Sequence, residues 1–362
     1  MPESSIVVRP QPMDSATYTA SSRLQAAGLR TAIALFEEAA QAVPLPRPPQ
    51  PIAIADYGSA TGYNSLLPIG AAIAVLRTRT RADHAILVAH TDVADNDFSA
   101  LFATLSDDAD SYLKKDRATF VSAVGRSFYQ QILPSDSIAL GWSSWATHWL
   151  SRVPMPIPDH VQISYCSDEA ARRAYTQQAA EDWHEFVAFR GRELAPGGRL
   201  VVLTLAGDED GGSGFQAAFD ALVEVLRELA ADGLLSADEA RRMTIPTYAR
   251  DEKDFRAPFA PSGRFEGLSI EHLELFNAED RFWAQYQADR DAQAFGARWA
   301  AFLRASVFPT MAAGLDGGAA DARATRFAER LEAAVAARLA GSPGQMSIPL
   351  AKLVLVKRRR SA

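Results

Sequence analysis

The chain has a single cysteine, Cys166, among 362 residues, which excludes an internal disulfide and fits a reducing compartment. No apolar run approaches the roughly 20 residues a membrane-spanning helix needs. The opening Met-Pro-Glu-Ser-Ser-Ile lacks the basic-then-apolar pattern of a signal peptide, so a cytoplasmic protein without a membrane partner is expected. Basic charge is also in deficit: the formal net charge is −7, which argues against a nucleic-acid surface. The one basic run, Lys357 to Arg360, reads as a solvated tail. Metal chemistry of the soft-ligand kind has no footing, because the six histidines are scattered and there is neither a Cys pair nor H-E-x-x-H. Gly141-Trp-Ser143-Ser144-Trp is not the nucleophile elbow of hydrolases. Asp92-Val-Ala-Asp95-Asn-Asp97 lacks the glycine and glutamate of a calcium loop and reads as an acidic loop.

What is present is an ordinary globular composition, 48% hydrophobic and 22% charged, in a chain long enough for one large domain or two ordinary ones. The central stretch is Ile52-Ala-Ile-Ala-Asp56-Tyr-Gly58-Ser-Ala-Thr-Gly62-Tyr-Asn64. It reads as a short buried strand, a glycine turn and then a helix capped by Asn64 or Ser65. That is the first unit of a nucleotide-binding α/β sheet, in which ligands sit at the carboxyl ends of the strands. The spacing is neither the dinucleotide fingerprint nor the P-loop, and a βα unit with no ligand is the plainer reading of this stretch alone.

Further strands are expected at 85–92, 119–124, 137–141, 199–205, 269–276 and 351–357. Helical periodicity covers about 17–42, 168–194, 215–232, 237–243, 280–308 and 319–340. Pro196-Gly197-Gly198 is a strong turn signal. The expected architecture is an α/β fold with a seven-stranded, mostly parallel sheet and a helical cap over the site. Residues 1–206 would form an N-terminal helix and the first five strands, 207–267 a cap segment, and 268–362 the last strands with further cap helices at 281–340.

Two places carry chemistry. Asp92 ends the second strand, where an acid on this kind of sheet reads a ribose hydroxyl pair; the plainer reading is a helix cap. Trp142, Trp145, His148 and Trp149 follow the fourth strand, and the tryptophans at i, i+3 and i+7 would share one helical face. Core packing alone would explain them. Indole donors and an imidazole beside flat apolar walls favour a small-molecule pocket.

These segments resemble the SABATH methyltransferases, which methylate salicylate, benzoate, jasmonate and, in one branch, xanthine nitrogens. The likeness runs through Asp56-Tyr-Gly58-Ser-Ala-Thr-Gly62-Tyr-Asn64, Thr91-Asp92-Val93-Ala-Asp-Asn96-Asp97-Phe98 and Val124-Gly-Arg-Ser127-Phe128-Tyr129-Gln-Gln-Ile-Leu-Pro134. It continues through Trp142-Ser-Ser144-Trp145-Ala-Thr-His148-Trp149-Leu-Ser-Arg-Val-Pro154, 196–201 and Ile245-Pro-Thr-Tyr248, in order across nearly the whole chain. The resemblance implies a Rossmann-like class I methyltransferase sheet and S-adenosylmethionine as methyl donor. It implies that Tyr18, Asp56, Gly58, Asn64, Asp92, Val93, Ser127, Phe128 and Ser144 hold the donor, with Asp92 on the ribose and Phe128 against the adenine. Gln25 and Trp149 would donate to the acceptor's carboxylate, and Tyr18, Ser22, Trp145, His148 and Phe219 would complete the acceptor site. Where plant members often hold magnesium, this chain has Arg241-Arg242-Met243-Thr244, so no metal is expected there. A homodimer is implied by the resemblance only.

The expected reaction is transfer of a methyl group to the carboxylate of a small-molecule acid. Such an acid is already ionised at pH 7, so no general base is required. An N- or O-methyltransferase with His148 as base is the first alternative. A nicotinamide-dependent oxidoreductase is the alternative of another class, and a cofactor-binding protein without activity is a third.

Overall fold

The computed structural model describes residues 28–208 and 211–359. Seven strands form one sheet in the order β3-β2-β1-β4-β5-β7-β6. They are β1 (Ile52–Tyr57), β2 (Ile86–Asp92), β3 (Thr119–Gly125), β4 (Ile138–Ser144), β5 (Leu194–Leu205), β6 (Leu268–Asn277) and β7 (Pro349–Lys357). The first five run parallel to one another, and β7 is antiparallel to both β5 and β6. Strand order reverses at β1, with β2 on one side and β4 on the other, so the carboxyl ends of β1 and β4 diverge over a crevice.

Both faces of the central strands are covered, which is why they read as near-continuous apolar runs. Ile52 and Ile54 of β1 point to one side, where they join Phe36 of α1 (Leu29–Ala42) and Ile69 of α2 (Leu66–Arg77). Ala55 and Tyr57 point to the other, against Trp183 and Phe186 of α4 (Glu169–Glu193), with α3 (Phe98–Asp107) lying between β2 and β3 in the chain. Among the described residues the longer helices of the cap are α5 (Gln216–Ala231), α6 (Arg281–Asp289), α7 (Ala292–Ser306) and α8 (Ala324–Gly341). Phe215, Phe219, Trp299, Phe302, Phe327 and Leu331 knit it to the α1 side of the sheet. No described helix is long and apolar enough to cross a membrane.

Several expectations are corrected. The stretch from Trp142 is not helical: Trp142 pairs with Asp56 and Val201 inside the sheet, and the strand continues to Ser144. Hydrogen bonding to parallel strands on both sides outweighs an i, i+3 spacing that fits either conformation. Pro196-Gly197-Gly198 does not end the element but makes a bulge inside β5, where pairing jumps from Ile138↔Leu194 to Leu140↔Arg199. Gly197 there has φ +84°, a conformation that favours glycine. The helix expected over 280–308 breaks at Arg290 (φ +56°), and Asp291 caps its second half by accepting from Ala294 N at 2.9 Å. Ser65 does not cap α2; its hydroxyl donates to Asp56 instead. The first part of the helix expected from residue 17 lies outside the described residues.

Candidate active site

The carboxyl ends of β1, β2, β3 and β4 place Gly58, Asp92, Ser127 and Ser144 along one rim of the sheet. The turn after β1 is built for close approach. Gly58 has φ +87°, and a Cβ there would lie 2.4 Å from the Ala146 Cβ and 3.6 Å from the Phe128 ring. Gly62 has φ +78°. Between them Ala60 is held at φ +46°, uncommon for a residue with a side chain. Two residues of the loop after β2 fasten it: Asp92 Oδ2 accepts from Ala60 N at 2.7 Å, and Asn96 Nδ2 donates to Ala60 O at 2.9 Å. Gly58 N and Ser59 N both donate to Thr91 O, tying the turn to β2.

Asp56 faces inward rather than into this turn. Its carboxylate is 1% exposed, and Oδ2 accepts from Ser65 Oγ at 2.6 Å and meets His90 Nδ1 at 2.8 Å. His90 Nε2 lies 2.6 Å from the Tyr112 hydroxyl, so a buried polar chain underlies the turn. Asp56 therefore bears on the site by fixing the turn's base. Asn64 lies half-buried in the helical turn at 63–65 that follows Gly62, and Val93 half-buried beside Asp92, whose Oδ1 accepts its N–H.

Asp92 ends β2 on this rim, with both carboxylate oxygens accepting backbone N–H groups. Burial raises its carboxyl to about 6, against the lowering effect of the Ala60 and Val93 N–H groups, and the charge of Asp56 adds to the rise. After β3 come Ser127, whose Oγ accepts from Tyr129 N, and Phe128, packed edge-on against Tyr129 and Phe186 at 4.8 and 5.5 Å. A fully buried ion pair clamps this segment. Arg190 Nη1 donates to Phe128 O at 2.6 Å and Nη2 to Gln130 O at 2.9 Å, while Glu193 Oε1 accepts from Ile132 N and Leu133 N. Glu193 Oε2 also accepts from the Tyr57 hydroxyl of β1 at 2.8 Å.

The rim suits an adenosyl sulfonium donor on observations of its own. Glycine at position 58 lets the turn pack tightly against Ala146 and Phe128, and Asp92 offers carboxylate oxygens. The buried hydroxyls of Ser59, Thr61 and Ser144 find no partner among the described residues.

Beyond β4 lies a second compartment. A small cavity of about 40 Å³ is lined by Trp145, His148, Trp149, Leu205, Phe215, Phe219, Ile245, Thr247, Phe302, Leu303, Ser306 and Val307. Trp145, His148, Trp149 and Phe219 thus come together as expected, whereas Trp142 does not: it is 1% exposed and packs on Phe36 at 4.9 Å. Trp145 (φ +56°) and Phe215 (φ +59°) are both bulky residues in the left-handed region, a strain of the kind that gathers at functional sites. Trp145 N is pinned to Leu203 O, and the Trp149 carbonyl accepts from the Tyr129 hydroxyl at 2.5 Å. The Ile245–Tyr248 stretch runs antiparallel to 148–150 through Tyr248 N to His148 O and Leu150 N to Pro246 O. His148 is buried, with Nδ1 3.4 Å from Thr204 Oγ1; burial and then the Arg250 charge push its imidazole down to about 3.

Tyr18, Ser22 and Gln25 lie outside the described residues. Sequence reasoning missed the cap's contribution from Phe215 and from Phe302, Leu303, Ser306 and Val307. It also passed over Leu205, Ile245 and Thr247, although Leu205 ends a strand at the ligand-binding rim and the other two sit in a motif already noted. Among the described residues no three potential metal-ligating side chains cluster. In the stretch Arg241–Thr244, Arg242 bonds Gly314 O and pairs with Asp316.

The comparisons with known proteins agree with one another. Methyltransferase FUS9 of Gibberella fujikuroi is 30% identical over 241 residues, 66% of this chain and 64% of that protein. Salicylate carboxymethyltransferase of Clarkia breweri is 26% identical over 250 residues, 66% of this chain and 67% of that one. A 3,7-dimethylxanthine N-methyltransferase of Camellia sinensis var. assamica is 26% identical over 245 residues, 64% of this chain and 66% of the other. The solved structure of a loganic acid methyltransferase with SAH shares the fold, with a TM-score of 0.75 at 22% identity over 96% of this chain and 99% of that one. The family model described as SAM dependent carboxyl methyltransferase matches residues 10–352, and the chain belongs to this family, the SABATH methyltransferases.

Proposed function

We propose that the protein transfers the methyl group of S-adenosylmethionine to the carboxylate of a small acid with an apolar body. The observation that carries this reading is the burial of His148, the one imidazole among the described residues that line the cavity. Held down to about 3, His148 is neutral at pH 7 and a poor proton acceptor. A carboxylate needs no proton removed, whereas a ring N–H or a phenol does. The remaining lining is apolar apart from two indoles and the hydroxyls of Thr247 and Ser306. Those walls favour a flat or slender hydrocarbon body over one bearing a second charge or several hydroxyls, which would be left unpaired there.

When bound, the donor supplies a sulfonium methyl group that an oxygen nucleophile displaces in line. The chain's own work is alignment. The Gly58–Gly62 turn, Asp92 and Phe128 fix one reactant, and the Trp145–Trp149 wall fixes the other. Such positioning can supply roughly 7–11 kcal/mol of the barrier. The aromatic cap excludes water from a reaction in which opposite charges are neutralised.

The test is a labelled-methyl assay over aromatic and aliphatic acids, xanthines and phenols. Methyl ester formation from an acid is expected; transfer only to nitrogen or phenolic oxygen would overturn the reading. Family membership sets aside the nicotinamide alternative, and a purified protein stabilised thermally by S-adenosylhomocysteine but not by NAD checks that point directly.

Two further outcomes are expected. Trp149→Phe keeps the ring but removes its N–H, a donor to an anion worth about 1.5–3 kcal/mol. It should lower kcat/KM for the acid by one to two orders of magnitude while the S-adenosylhomocysteine affinity stays within a few fold. The second concerns pH. With its carboxyl raised to about 6, Asp92 is ionised above that pH and protonated below it. An acceptor for ribose hydroxyls is therefore fully available above pH 6 and lost as pH falls through it. Calorimetric affinity for S-adenosylhomocysteine should decline from pH 7.5 to pH 5 with an inflexion near 6, and Asp92→Asn should flatten that profile. The sign for stability is opposite: burial disfavours the charged carboxylate, so this group's contribution to the stability of the ligand-free protein should fall as pH rises from about 4 through about 6, read as Tm against pH.

A further inference from the structure

Arg250 is 1% exposed, and the groups it bonds carry no compensating charge. Its Nη1 donates to Thr147 O at 2.6 Å and its Nη2 to Ala179 O at 2.8 Å, and Nε finds no partner among the described residues. The Tyr129 hydroxyl lies against the same guanidinium and donates to the Trp149 carbonyl. Of the carboxylates near it, Asp182 is engaged elsewhere, accepting from Ser151 N and Oγ and from Gln178 Nε2, and half-buried Asp254, which feels the Arg250 charge, accepts from Asp251 N and forms no ion pair with the guanidinium. A guanidinium taken out of water without an ion pair is costly, and an arrangement that keeps one calls for a negative charge nearby.

Its place in the fold says where that charge would be. Thr147 immediately precedes His148, and Tyr248 N bonds His148 O, so the guanidinium stands directly behind the wall that His148 and Trp149 present to the cavity. Among the described residues the cavity's lining contains no lysine or arginine. A carboxylate entering it would be desolvated with neutral donors only, unless a cation lies close behind the wall in a medium of low dielectric.

We propose that Arg250 is the specificity-determining charge of the acceptor site: held one layer behind His148 and Trp149, its field selects an anionic acceptor over a neutral molecule of the same shape. The proposal rests on the carboxylate reading above. His148, which lines the cavity, is lowered by burial first and by the Arg250 charge second, in keeping with that placement. Arg250 touches neither reactant and acts through space. The sulfonium adds a second positive charge when bound, so the acid should bind best to the loaded enzyme.

The experiment is calorimetric binding of benzoate and benzamide, and of hexanoate and hexanamide, to the full chain saturated with S-adenosylhomocysteine. Wild-type enzyme should prefer acid to amide at least tenfold. Arg250→Met should cut that preference tenfold or more, almost wholly through weaker acid binding, with S-adenosylhomocysteine affinity within threefold of wild type. Because methionine at so buried a position can cost the fold, Arg250→Gln serves as a second charge-free variant that keeps a donor for Thr147 O. Arg250→Lys should retain most of the preference. The proposal is overturned if the charge-free variants keep the wild-type ratio, or if Arg250→Lys loses it as fully as they do, since the hydrogen bonds and not the charge would then matter. A wild-type enzyme that methylates no acid fails the functional reading itself, and that result is separable because it is seen before any substitution is made.

Discussion

Arg190→Met lowers the stability of the protein by about 3–5 kcal/mol, read as a lower urea midpoint at unchanged slope. Arg190 and Glu193 are both fully buried and one turn apart on α4, with Arg190 Nη2 2.9 Å from Glu193 Oε1. Removing the cation leaves a carboxylate stranded inside the protein, together with the Phe128 and Gln130 carbonyls that it had satisfied. Stacking is lost as well, since the guanidinium lies 4.4 Å above the Tyr57 ring. The double variant Arg190→Met/Glu193→Met should be less destabilised than the sum of the single ones, because the stranded charge is gone. It should not return to wild type, because Ile132 N, Leu133 N and the Tyr57 hydroxyl lose their acceptor. The clamp also holds the backbone behind Phe128. At a temperature where Arg190→Met is still folded, its S-adenosylhomocysteine affinity should fall tenfold or more, an effect a purely global loss of stability would not produce.

The clamp marks where reading the sequence stops. Strands were legible wherever apolar residues ran four to seven long between turn signals, and the ligand-binding rim followed, because parallel strands place their carboxyl ends together. Asp92 and Gly58 could be placed on that rim from the strand-and-turn pattern, whereas Phe128 was singled out only through the family resemblance. Arg190 and Glu193 could not, since charged residues three apart on a long helix ordinarily describe a solvated face. Arg250 likewise gave no signal, as a cation in a polar loop. The cap failed for a different reason: periodicity says which side of α7 is buried but not against what, so Phe302 and Leu303 were visible as core and invisible as cavity wall. Trp142 was misplaced because a spacing of three residues cannot distinguish a helical turn from the end of a strand.

Gly58→Ala should abolish most activity without unfolding the protein, and Ala146→Gly should restore part of it. The new Cβ would stand 2.4 Å from the Cβ of Ala146, on a backbone with φ +87°. The left-handed conformation costs an alanine about 1–2 kcal/mol, and relieving the overlap typically costs about 1–3 kcal/mol more. Ala146 is not a bystander. It follows Trp145, accepts from Trp149 N through its carbonyl at 3.1 Å, and so fixes the turn that aims both indoles into the acceptor cavity. Pushing it away misaligns the acceptor wall at the same time as the turn under the donor, and a displacement near 1 Å can cost about a hundredfold in rate. Expected values are a fall in kcat/KM of two to three orders of magnitude and a weaker affinity for S-adenosylhomocysteine. The double variant Gly58→Ala/Ala146→Gly removes the overlap but keeps the unfavourable φ, so it should recover at least tenfold in kcat/KM while staying below wild type. Recovery of nothing would mean that the backbone conformation of the turn, and not its contact with the acceptor wall, is what the glycine protects.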